Sequence, residues 1–276
     1  KKHDMHLPLM VAVAPNGARK TKTDHANLPI APLEIAETAV ECLAAGSCMI
    51  HLHVRNDDNQ HSLDPLRYKS AIQAIREKVK EDLIIQITTE AVGIYQPEEQ
   101  IEIVKSIRPE AASIALREFC PDASYEQSAG RFFEWMLKEK TAPQYILYDL
   151  DDIQKFEEFR SRGLIPGDYH SILLVLGRYT SNQQSNPEDL KPLLEALPSN
   201  CNWWLCAFGK DESKCMDAVI RNGGHCRVGF ENNLFLPSGE MAPNNAASVS
   251  EVTDLAGAAE RPIADANSAR ELMHFP

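Results

Sequence analysis

The chain has 276 residues, of which 43% are hydrophobic and 25% charged, a composition typical of folded globular proteins rather than disordered or fibrous ones. Its net charge of −12 argues against nucleic acid as a partner, because binding a polyanion draws on clustered lysine and arginine. No apolar run approaches the roughly 20 residues that span a bilayer, and the opening residues KKHDMHLP contain no signal-peptide core. We therefore expect a cytoplasmic protein that binds small molecules and no membrane.

Short β-rich apolar segments alternate with helical segments from residue 9 onward. Two of the amphipathic stretches carry clear helix-end signals: Gly46 suits a C-cap for residues 32–46, and Asp64 and Pro65 suit the start of residues 64–79. This alternation predicts a parallel sheet with crossover helices. We predict eight strands, at residues 9–15, 48–54, 83–89, 111–116, 144–150, 170–176, 202–208 and 225–230.

Eight such units, with no linker or internal repeat, favour one closed (β/α)₈ barrel, a TIM barrel, as a single catalytic domain over residues 1–276. The alternative is an open, doubly wound sheet with a dinucleotide crevice. That fold would carry a Gly-x-Gly-x-x-Gly pattern after the first strand, where this chain reads APNGARKTK. Since a barrel forms its active site at the carboxyl ends of its strands, the polar residues there are the functional candidates.

The second predicted strand, CMIHLHVR, contains two histidines two positions apart. Side chains alternate along a strand, so His51 and His53 share a face, with Cα atoms about 6.6 Å apart. Two imidazole nitrogens at that spacing can converge on one metal ion. The alternative is a pair of neutral core histidines that hydrogen-bond to their neighbours.

A third metal ligand follows the eighth predicted strand, in the segment GFENN. In a closed barrel the eighth strand pairs with the first, and the first with the second, so Glu231 would face His51 and His53 across one strand. Two histidines and a glutamate with an open position form a catalytic zinc set, although iron and manganese also accept these ligands. The alternative for Glu231 is a loop carboxylate paired with Arg227, whose side chain we expect to point inward.

Other predicted strands also end in polar side chains. The loop after the first strand could bind an anion or a carboxylate, or could be a solvated basic loop. For Asp149 and Glu118 we favour helix caps or salt bridges over catalysis. The candidates are Asn16, Arg19, Lys20 and Lys22 after the first strand, Thr88, Thr89 and Glu90 after the third, Ser113, Arg117 and Glu118 at the fourth, and Asp149 at the fifth.

Four segments together resemble the β-keto acid cleavage enzyme family: VAPNGARKTKTDHANLPIAPLEIA, CLAAGSCMIHLHVRNDDNQHSLDP, IIQITTEAVG and GGHCRVGFENN. The resemblance covers nearly the whole chain. It implies a TIM barrel in a homo-oligomer, with a homotetramer favoured, and zinc (Zn²⁺) on His51, His53 and Glu231. It also implies transfer of the acyl part of a β-keto acid to coenzyme A, with acetyl-CoA as co-substrate and acetoacetate as co-product.

The resemblance implies further catalytic positions, one residue at a time. The family's arginine matches Arg227, a serine of its third strand matches Thr88, and a threonine of its fourth strand matches Ser113. The aspartate that follows the zinc glutamate, and acts as general base in the family, falls on Asn232. Because an amide cannot accept a proton at neutral pH, either another carboxylate such as Glu90 is the base or the reaction differs.

The expected substrate also departs from part of the family. Members that cleave 3-keto-5-aminohexanoate hold its cationic amine with two carboxylates, whose positions correspond here to Arg19 and Ile146. The loss of both acids makes a cationic side chain unfavourable. We predict an anionic or neutral β-keto acid, such as β-ketoglutarate or β-ketoadipate, with Arg19 and Asn16 as substrate-binding residues.

Two other functions stay open at this point. One is a metal-dependent hydrolase or retro-aldol lyase on the same barrel that works without coenzyme A. The other is a metabolite-binding protein that kept the barrel after losing its base.

Overall fold

Residues 7–276 are described by a computed structural model, so the first six positions of the predicted 1–276 domain lie outside the described residues. Eight parallel strands close into a barrel, which confirms the predicted TIM-barrel fold. Around the barrel the order of the strands is β1-β10-β9-β8-β7-β6-β5-β2. Their bounds are β1 (Val11–Val13), β2 (Met49–Leu52), β5 (Ile84–Ile87), β6 (Ala111–Ala115), β7 (Ala142–Leu147), β8 (His170–Leu176), β9 (Cys201–Ala207) and β10 (His225–Val228).

Helices cover the outside of the barrel and follow the strands in alternation. None of the helices within residues 7–276 is both long and apolar enough to cross a membrane. Their bounds are α1 (Pro32–Ala45), α2 (Pro65–Val79), α3 (Pro97–Ile107), α4 (Leu116–Phe119), α5 (Glu126–Lys138), α6 (Leu150–Ser161), α7 (Leu190–Glu195), α8 (Glu212–Arg221), α9 (Asn245–Ala258) and α10 (Ala266–Leu272), with short 3₁₀ turns at Ala123–Tyr125, Ser181–Gln183 and Pro187–Asp189.

The ends of α1 and α2 follow from their sequences. Gly46 ends α1 with φ of 116°, in the left-handed region that a side chain disfavours, and its N–H donates to the carbonyls of the last turn. The Asp64 carboxylate accepts a hydrogen bond from the Leu66 N–H (2.9 Å), and Pro65 stands at the first helical position of α2. Both helix-end predictions are therefore confirmed.

Several predicted strands run past the observed ends near the site: the third strand ends at Ile87 rather than at residue 89, and the eighth ends at Val228 rather than at residue 230. The second strand ends at Leu52, so His53 lies outside it, and an antiparallel hairpin that the sequence pattern did not predict follows, formed by β3 (Val54–Arg55) and β4 (His61–Ser62). The fifth predicted strand ends at Leu147 rather than at residue 150, because Asp149 caps α6 by accepting a hydrogen bond from the Asp152 N–H (2.9 Å).

Apolar side chains fill both the interior of the barrel and the layer between its strands and helices. Inside the barrel, small residues on three strands, Ala12, Ala111 and Ala142, lie in one cluster with the fully buried Trp204 and Met49. Large and small side chains thus complement one another, as close packing requires. This apolar layer leaves the polar side chains to gather toward the carboxyl ends of the strands.

Candidate active site

A cavity of about 280 Å³ opens at the carboxyl ends of the barrel strands. Its walls come from separate parts of the chain, and its volume suits a small carboxylic acid. It is therefore the place where a TIM barrel would carry its chemistry. The polar side chains in its walls include Asn16, Arg19, Lys20, His51, His53, Thr88, Thr89, Glu90, Ser113, Glu118, Tyr148, Arg178, Arg227 and Glu231.

Three side chains meet at the floor of this cavity. His51 Nε2 lies 3.2 Å from His53 Nε2, and His53 Nε2 lies 2.6 Å from Glu231 Oε1. All three potential ligand atoms lie within 4.8 Å of one another. Two nitrogens that share a tetrahedral zinc ion at about 2.1 Å each are about 3.4 Å apart. The spacing of the two imidazoles therefore fits a tetrahedral metal ion, whereas His53 Nε2 and Glu231 Oε1, at 2.6 Å, lie at hydrogen-bond distance and would have to move apart around a bound ion.

Gln86 determines which ring nitrogen of His51 carries the proton. His51 Nδ1 donates to the Gln86 side-chain oxygen at 2.7 Å. Burial lowers the pKa of His51 well below its ordinary value, and the Arg227 charge adds to this, so the ring is neutral. Because a neutral imidazole carries one proton, His51 Nε2 is left with a lone pair that faces the cavity.

His61 determines in the same way that Nδ1 of His53 carries a proton. His61 Nε2 donates to the carbonyl of Glu90 at 2.8 Å, and burial lowers the pKa of His61 to about 3. The neutral His61 therefore accepts at Nδ1, which lies 3.4 Å from His53 Nδ1. His53 donates from Nδ1, and its Nε2 lies at hydrogen-bond distance, 2.6 Å, from Glu231 Oε1. A metal ion bound between the three side chains would take the place of the proton in that contact and would use Nε2 of a neutral His53 as a ligand.

Glu231 is held in place by two cationic side chains. Arg227 Nη2 donates to Glu231 Oε2 at 2.7 Å, and Lys20 Nζ donates to the Glu231 carbonyl at 2.7 Å. Burial alone would raise the pKa of Glu231, but the charge of Arg227, the largest opposing effect, outweighs it and holds the pKa well below its ordinary value. The carboxylate is therefore ionised, so both readings of Glu231 from the sequence apply: it pairs with Arg227 and adjoins the histidines.

Arg227 keeps two donors for a ligand. It is buried, as its inward orientation predicts, yet Nε and Nη1 have no hydrogen-bond partner within residues 7–276. Its side chain lines the cavity, and Nε and Nη1 lie on different edges of the guanidinium, so either could donate a single hydrogen bond to a ligand there.

Two carboxyl groups occupy the opposite wall. Arg19 Nη1 lies 3.3 Å from the Glu90 carboxylate. Behind it, Glu118 Oε1 accepts hydrogen bonds from the side chain of Gln100 (3.0 Å) and the N–H of Ala91 (3.2 Å). Burial, together with the neighbouring charge of Glu90, raises the pKa of Glu118 to about 7. Glu118 thus lines the cavity and also accepts hydrogen bonds from its neighbours, where from the sequence we favoured a helix cap or a salt bridge.

The predicted hydroxyl residues also reach the cavity. Thr88 Oγ1 accepts a hydrogen bond from the Glu90 N–H at 3.1 Å, and its own proton can point toward a ligand. Thr89 Oγ1 donates to the Ser113 carbonyl at 2.7 Å, which ties the ends of β5 and β6 together. The Ser113 side chain lines the cavity beside them.

Several sequence candidates have other positions or partners than expected. Lys22 donates to the Leu28 carbonyl (2.9 Å) and to Glu34 (2.6 Å), outside the cavity wall. Asp149, by contrast, caps α6 and pairs with Arg117 at 2.9 Å, so the cap or salt bridge that we favoured for Asp149 is confirmed. Asn16 lines the cavity, but its amide N–H groups already bind the carbonyls of Pro29 and His53.

Asn232 is buried, but it is not among the residues that line the cavity. Its side-chain oxygen and nitrogen both lack hydrogen-bond partners within the described part of the chain. The position therefore differs from the others carried over by resemblance: its backbone follows Glu231, but its amide does not reach the cavity wall.

Sequence reasoning missed the two residues that orient the histidines, Gln86 and His61. A signal existed for Gln86, because it is the polar residue of an otherwise apolar strand and lies in register with His51. No comparable signal existed for His61, which the unpredicted hairpin of β3 and β4 brings back against His53.

Comparisons with known proteins agree with one another on family and fold. The beta-keto acid cleavage enzyme family matches residues 8–275. The 3-keto-5-aminohexanoate cleavage enzyme of Acetoanaerobium sticklandii is 31% identical over 96% of this chain and 97% of its own length. The 3-oxoadipate:acetyl-CoA acetyltransferase of Cupriavidus necator is 30% identical, over 99% of this chain and 96% of its own.

A search of solved structures finds the same barrel in the apo form of ObcA, with a TM-score of 0.74 at 16% identity. The match covers 90% of this chain and 66% of ObcA, so the chain spans slightly less than two thirds of that protein's length. At this identity the likeness concerns the fold alone.

We predict that Gly17→Ala weakens divalent-metal binding about tenfold, because an added Cβ would lie 2.7 Å from Glu231 Cγ and push the carboxylate away from the histidines. Gly93→Ala is the matched control, since Gly93 also has a positive φ (75°, against 63° for Gly17) but has no atom within 4 Å of the added Cβ. Both variants carry left-handed strain of about 1–2 kcal/mol. Competition with a chromogenic chelator measures the affinity, and equal affinities in the two variants would contradict the prediction.

Proposed function

The chain belongs to the β-keto acid cleavage enzyme family, and from that premise we propose that it exchanges the acyl part of a β-keto acid with acetyl-CoA on a zinc centre. The observation that carries the proposal is the meeting of His51, His53 and Glu231 at the floor of the cavity, beside the unused donors of Arg227. The relative from Cupriavidus necator, named as an acetyl-CoA acetyltransferase, supports the same reaction type.

The proposed reaction balances without a redox step. The substrate R–CO–CH₂–COO⁻ gives its R–CO group to the sulfur of coenzyme A, and its CH₂–COO⁻ carbon takes the acetyl group of acetyl-CoA. One carbon–carbon bond breaks, one forms, and one thioester replaces another. The products are R–CO–S-CoA and acetoacetate, so no nicotinamide or flavin is required.

Zinc is the metal that we propose for His51, His53 and Glu231, where it would act as a Lewis acid for the keto group. The donor set fits, because Nδ1 of each histidine donates to a neighbouring side chain, so a neutral ring would offer Nε2 to the metal beside the ionised Glu231 carboxylate. Arg227 would donate to the substrate carboxylate from Nε or Nη1, which lie on different edges of the guanidinium and lack other partners within residues 7–276. The hydroxyls of Thr88 and Ser113 would donate to substrate oxygens from the adjoining wall.

Glu90 is the general base in this proposal. Asn232 cannot take that role, because an amide does not accept a proton at neutral pH and this one does not line the cavity. Glu90 offers a carboxylate in the cavity wall, held toward it by Arg19. Glu118 also lines the cavity, but one of its oxygens already accepts two hydrogen bonds, from Gln100 and Ala91.

The walls favour a substrate whose side chain is anionic or neutral. Arg19 and Arg178 bring positive charge to the cavity, and the apolar Ile146 stands on the β7 wall. A cationic side chain there would meet like charge, whereas a second carboxylate could pair with a guanidinium. Asn16 offers one unpaired side-chain oxygen to the same space, so it would accept from a ligand rather than bind its carboxylate.

The proposal also covers the domain organisation, the oligomeric state and the cellular location. We propose that residues 1–276 act as one catalytic domain, that the protein forms a homo-oligomer, with a homotetramer favoured, and that it works in the cytoplasm. The resemblance to the family supports the first two, and seven cysteines that are free thiols fit the reducing compartment of the third.

Acetoacetate formation tests the proposed reaction. We expect zinc-loaded protein with acetyl-CoA to produce acetoacetate, and to do so faster from β-ketoglutarate or β-ketoadipate than from 3-keto-5-aminohexanoate. The reverse preference would refute the predicted specificity. Loss of the β-keto acid in the absence of acetyl-CoA would instead favour the hydrolase or lyase alternative, and zinc binding without any turnover would favour a binding protein.

Two variants separate metal binding from proton transfer in the same assay. His51→Ala should lose both bound zinc and activity, because one of three protein ligands is gone. Glu90→Gln should keep its zinc and lose about 100-fold or more in kcat, the contribution of a general base. If Glu90→Gln retained full kcat, the assignment of the base would be wrong.

Glu118 predicts a pH dependence of substrate binding. Its pKa of about 7 means that the carboxyl gains charge as the pH rises through that value, beside Glu90 and opposite Arg19. We expect the KM for a keto-dicarboxylate to rise about threefold to tenfold across this range because of the added negative charge. In Glu118→Gln the rise should disappear, while a β-keto acid with an uncharged side chain should show little change in either protein.

We also predict that Glu118→Gln changes how the free energy of unfolding depends on pH. Since folding raises the pKa of Glu118 from 4.5 to about 7, the free energy of unfolding should fall as the pH rises between these values and stay reduced above them. Glu118→Gln should flatten this fall in denaturant-unfolding measurements. A KM and a stability that both depend on pH in the same way with and without Glu118 would contradict the prediction.

A further inference from the structure

A row of buried polar side chains crosses the interior of the barrel and ends at His51. Its members come from five strands, and all are buried. Each is linked to the next by a side-chain hydrogen bond of 3.2 Å or less. We call this row the amide chain; it consists of Trp204, Asn202, Ser171, Gln144, Gln86 and His51.

The far end of the amide chain fixes the direction of its hydrogen bonds. Trp204 Nε1 donates to Asn202 Oδ1 at 2.8 Å, and an indole nitrogen can only donate. The oxygen of Asn202 must therefore face Trp204. Ser171 Oγ lies 2.8 Å from the same oxygen, so the serine hydroxyl also donates to it. With its proton used in this way, Ser171 accepts from its next neighbour.

The direction continues to the metal site through two glutamines. Gln144 Nε2 donates to Ser171 Oγ at 3.1 Å, so Gln144 turns its oxygen toward Gln86. Gln86 Nε2 donates to that oxygen at 3.2 Å, across the barrel interior, because β6 separates their strands in the sheet. Gln86 then has only its oxygen left for His51 Nδ1, at 2.7 Å.

The four links from His51 to Asn202 therefore all donate toward Asn202 Oδ1, and Trp204 donates to the same oxygen from the other side. The result is the tautomer of His51. An oxygen at Gln86 requires a proton on His51 Nδ1, and a neutral ring with that proton offers Nε2 to the cavity. If Gln86 were flipped, its NH₂ would face His51 Nδ1, and the Gln86 and Gln144 oxygens would face each other without a proton in a buried site. Such unsatisfied pairs are strongly disfavoured.

We propose that the amide chain, anchored at Trp204, is a set of positioning residues that holds His51 in the tautomer required for metal binding. The proposal rests on the zinc centre of the proposed function. It goes beyond a direct neighbour effect of Gln86, because it assigns a role in metal affinity to Ser171 and Asn202, which do not line the cavity.

Zinc affinity, measured by competition with a chromogenic chelator, tests the proposal. We expect Gln86→Met to weaken zinc binding about 10–100-fold, the usual effect of losing a partner of a ligand histidine. Ser171→Ala, which frees Gln144 and Gln86 to flip, should weaken it about threefold to tenfold. The matched control is Thr141→Val, which removes a buried hydroxyl that donates to the Pro109 carbonyl (2.8 Å) outside the amide chain. This control should leave the affinity within about twofold.

Repeating Ser171→Ala in a Gln86→Glu protein separates loss of the His51 tautomer from general damage to the core. In Gln86→Glu both side-chain oxygens accept, so the proton of His51 stays on Nδ1 whichever way the carboxylate is turned. Adding Ser171→Ala to this variant should therefore change zinc affinity by less than about twofold. An equal loss from Ser171→Ala in both backgrounds, or no loss in the wild-type background, would overturn the proposal.

The tautomer can also be observed without zinc. In metal-free protein with ¹⁵N-labelled histidine, long-range ¹H–¹⁵N spectra should show the proton of His51 on Nδ1, and Ser171→Ala should populate the other tautomer. If wild-type protein bound no zinc while the spectra showed this shift, the proposed function would fail and the orienting role would stand. If zinc bound tightly and the tautomer were the same in both proteins, the orienting role would fail.

Discussion

The ion pair between Glu231 and Arg227, with Nη2 2.7 Å from Oε2 inside the cavity, is the interaction on which the site depends. A buried carboxylate without a partner would be protonated or turned to solvent; paired with Arg227 it stays ionised and faces the histidines. The backbone before Glu231 can approach β1 closely because residue 229 is a glycine. Gly229 has φ of 140°, and an added Cβ there would lie 2.4 Å from the Ala14 carbonyl oxygen. The close approach of β10 to β1 thus sets where the carboxylate lies.

Charge and proton positions in the cavity form one connected arrangement. Gln86 and His61 each accept a hydrogen bond from Nδ1 of one histidine, so both Nε2 atoms face the site, 3.2 Å from each other and, for His53, 2.6 Å from Glu231 Oε1. Arg227 holds the carboxylate beside them and still has donors to spare within the described residues. A divalent cation would use both Nε2 atoms and the Glu231 carboxylate, and an anionic substrate would use the remaining donors of Arg227. We therefore favour Lewis-acid chemistry on a carboxylate substrate.

Much of the fold followed from the sequence, because alternating buried strands and capped helices leave a local signal. The hairpin of β3 and β4 did not, since strands of two residues have no periodicity. In the site, the approach of His51, His53 and Glu231 followed from strand order in a closed barrel. The roles of Gln86 and His61 depend on register and on a turn of the chain, and the contact of Lys22 with Glu34 depends on where a loop folds back. Those are three-dimensional facts that spacing alone does not determine.

Anomalous diffraction at the zinc edge, from crystals grown with zinc, tests the proposed metal centre most directly. We expect one strong peak bonded to His51 Nε2, His53 Nε2 and a carboxylate oxygen of Glu231, with room left for a substrate ligand. The structure contains a second group of possible ligands, formed by His53, His61 and Glu90. A peak at that group, or a zinc-loaded crystal in which Glu231 stays bound to Arg227 alone, would contradict the proposed centre.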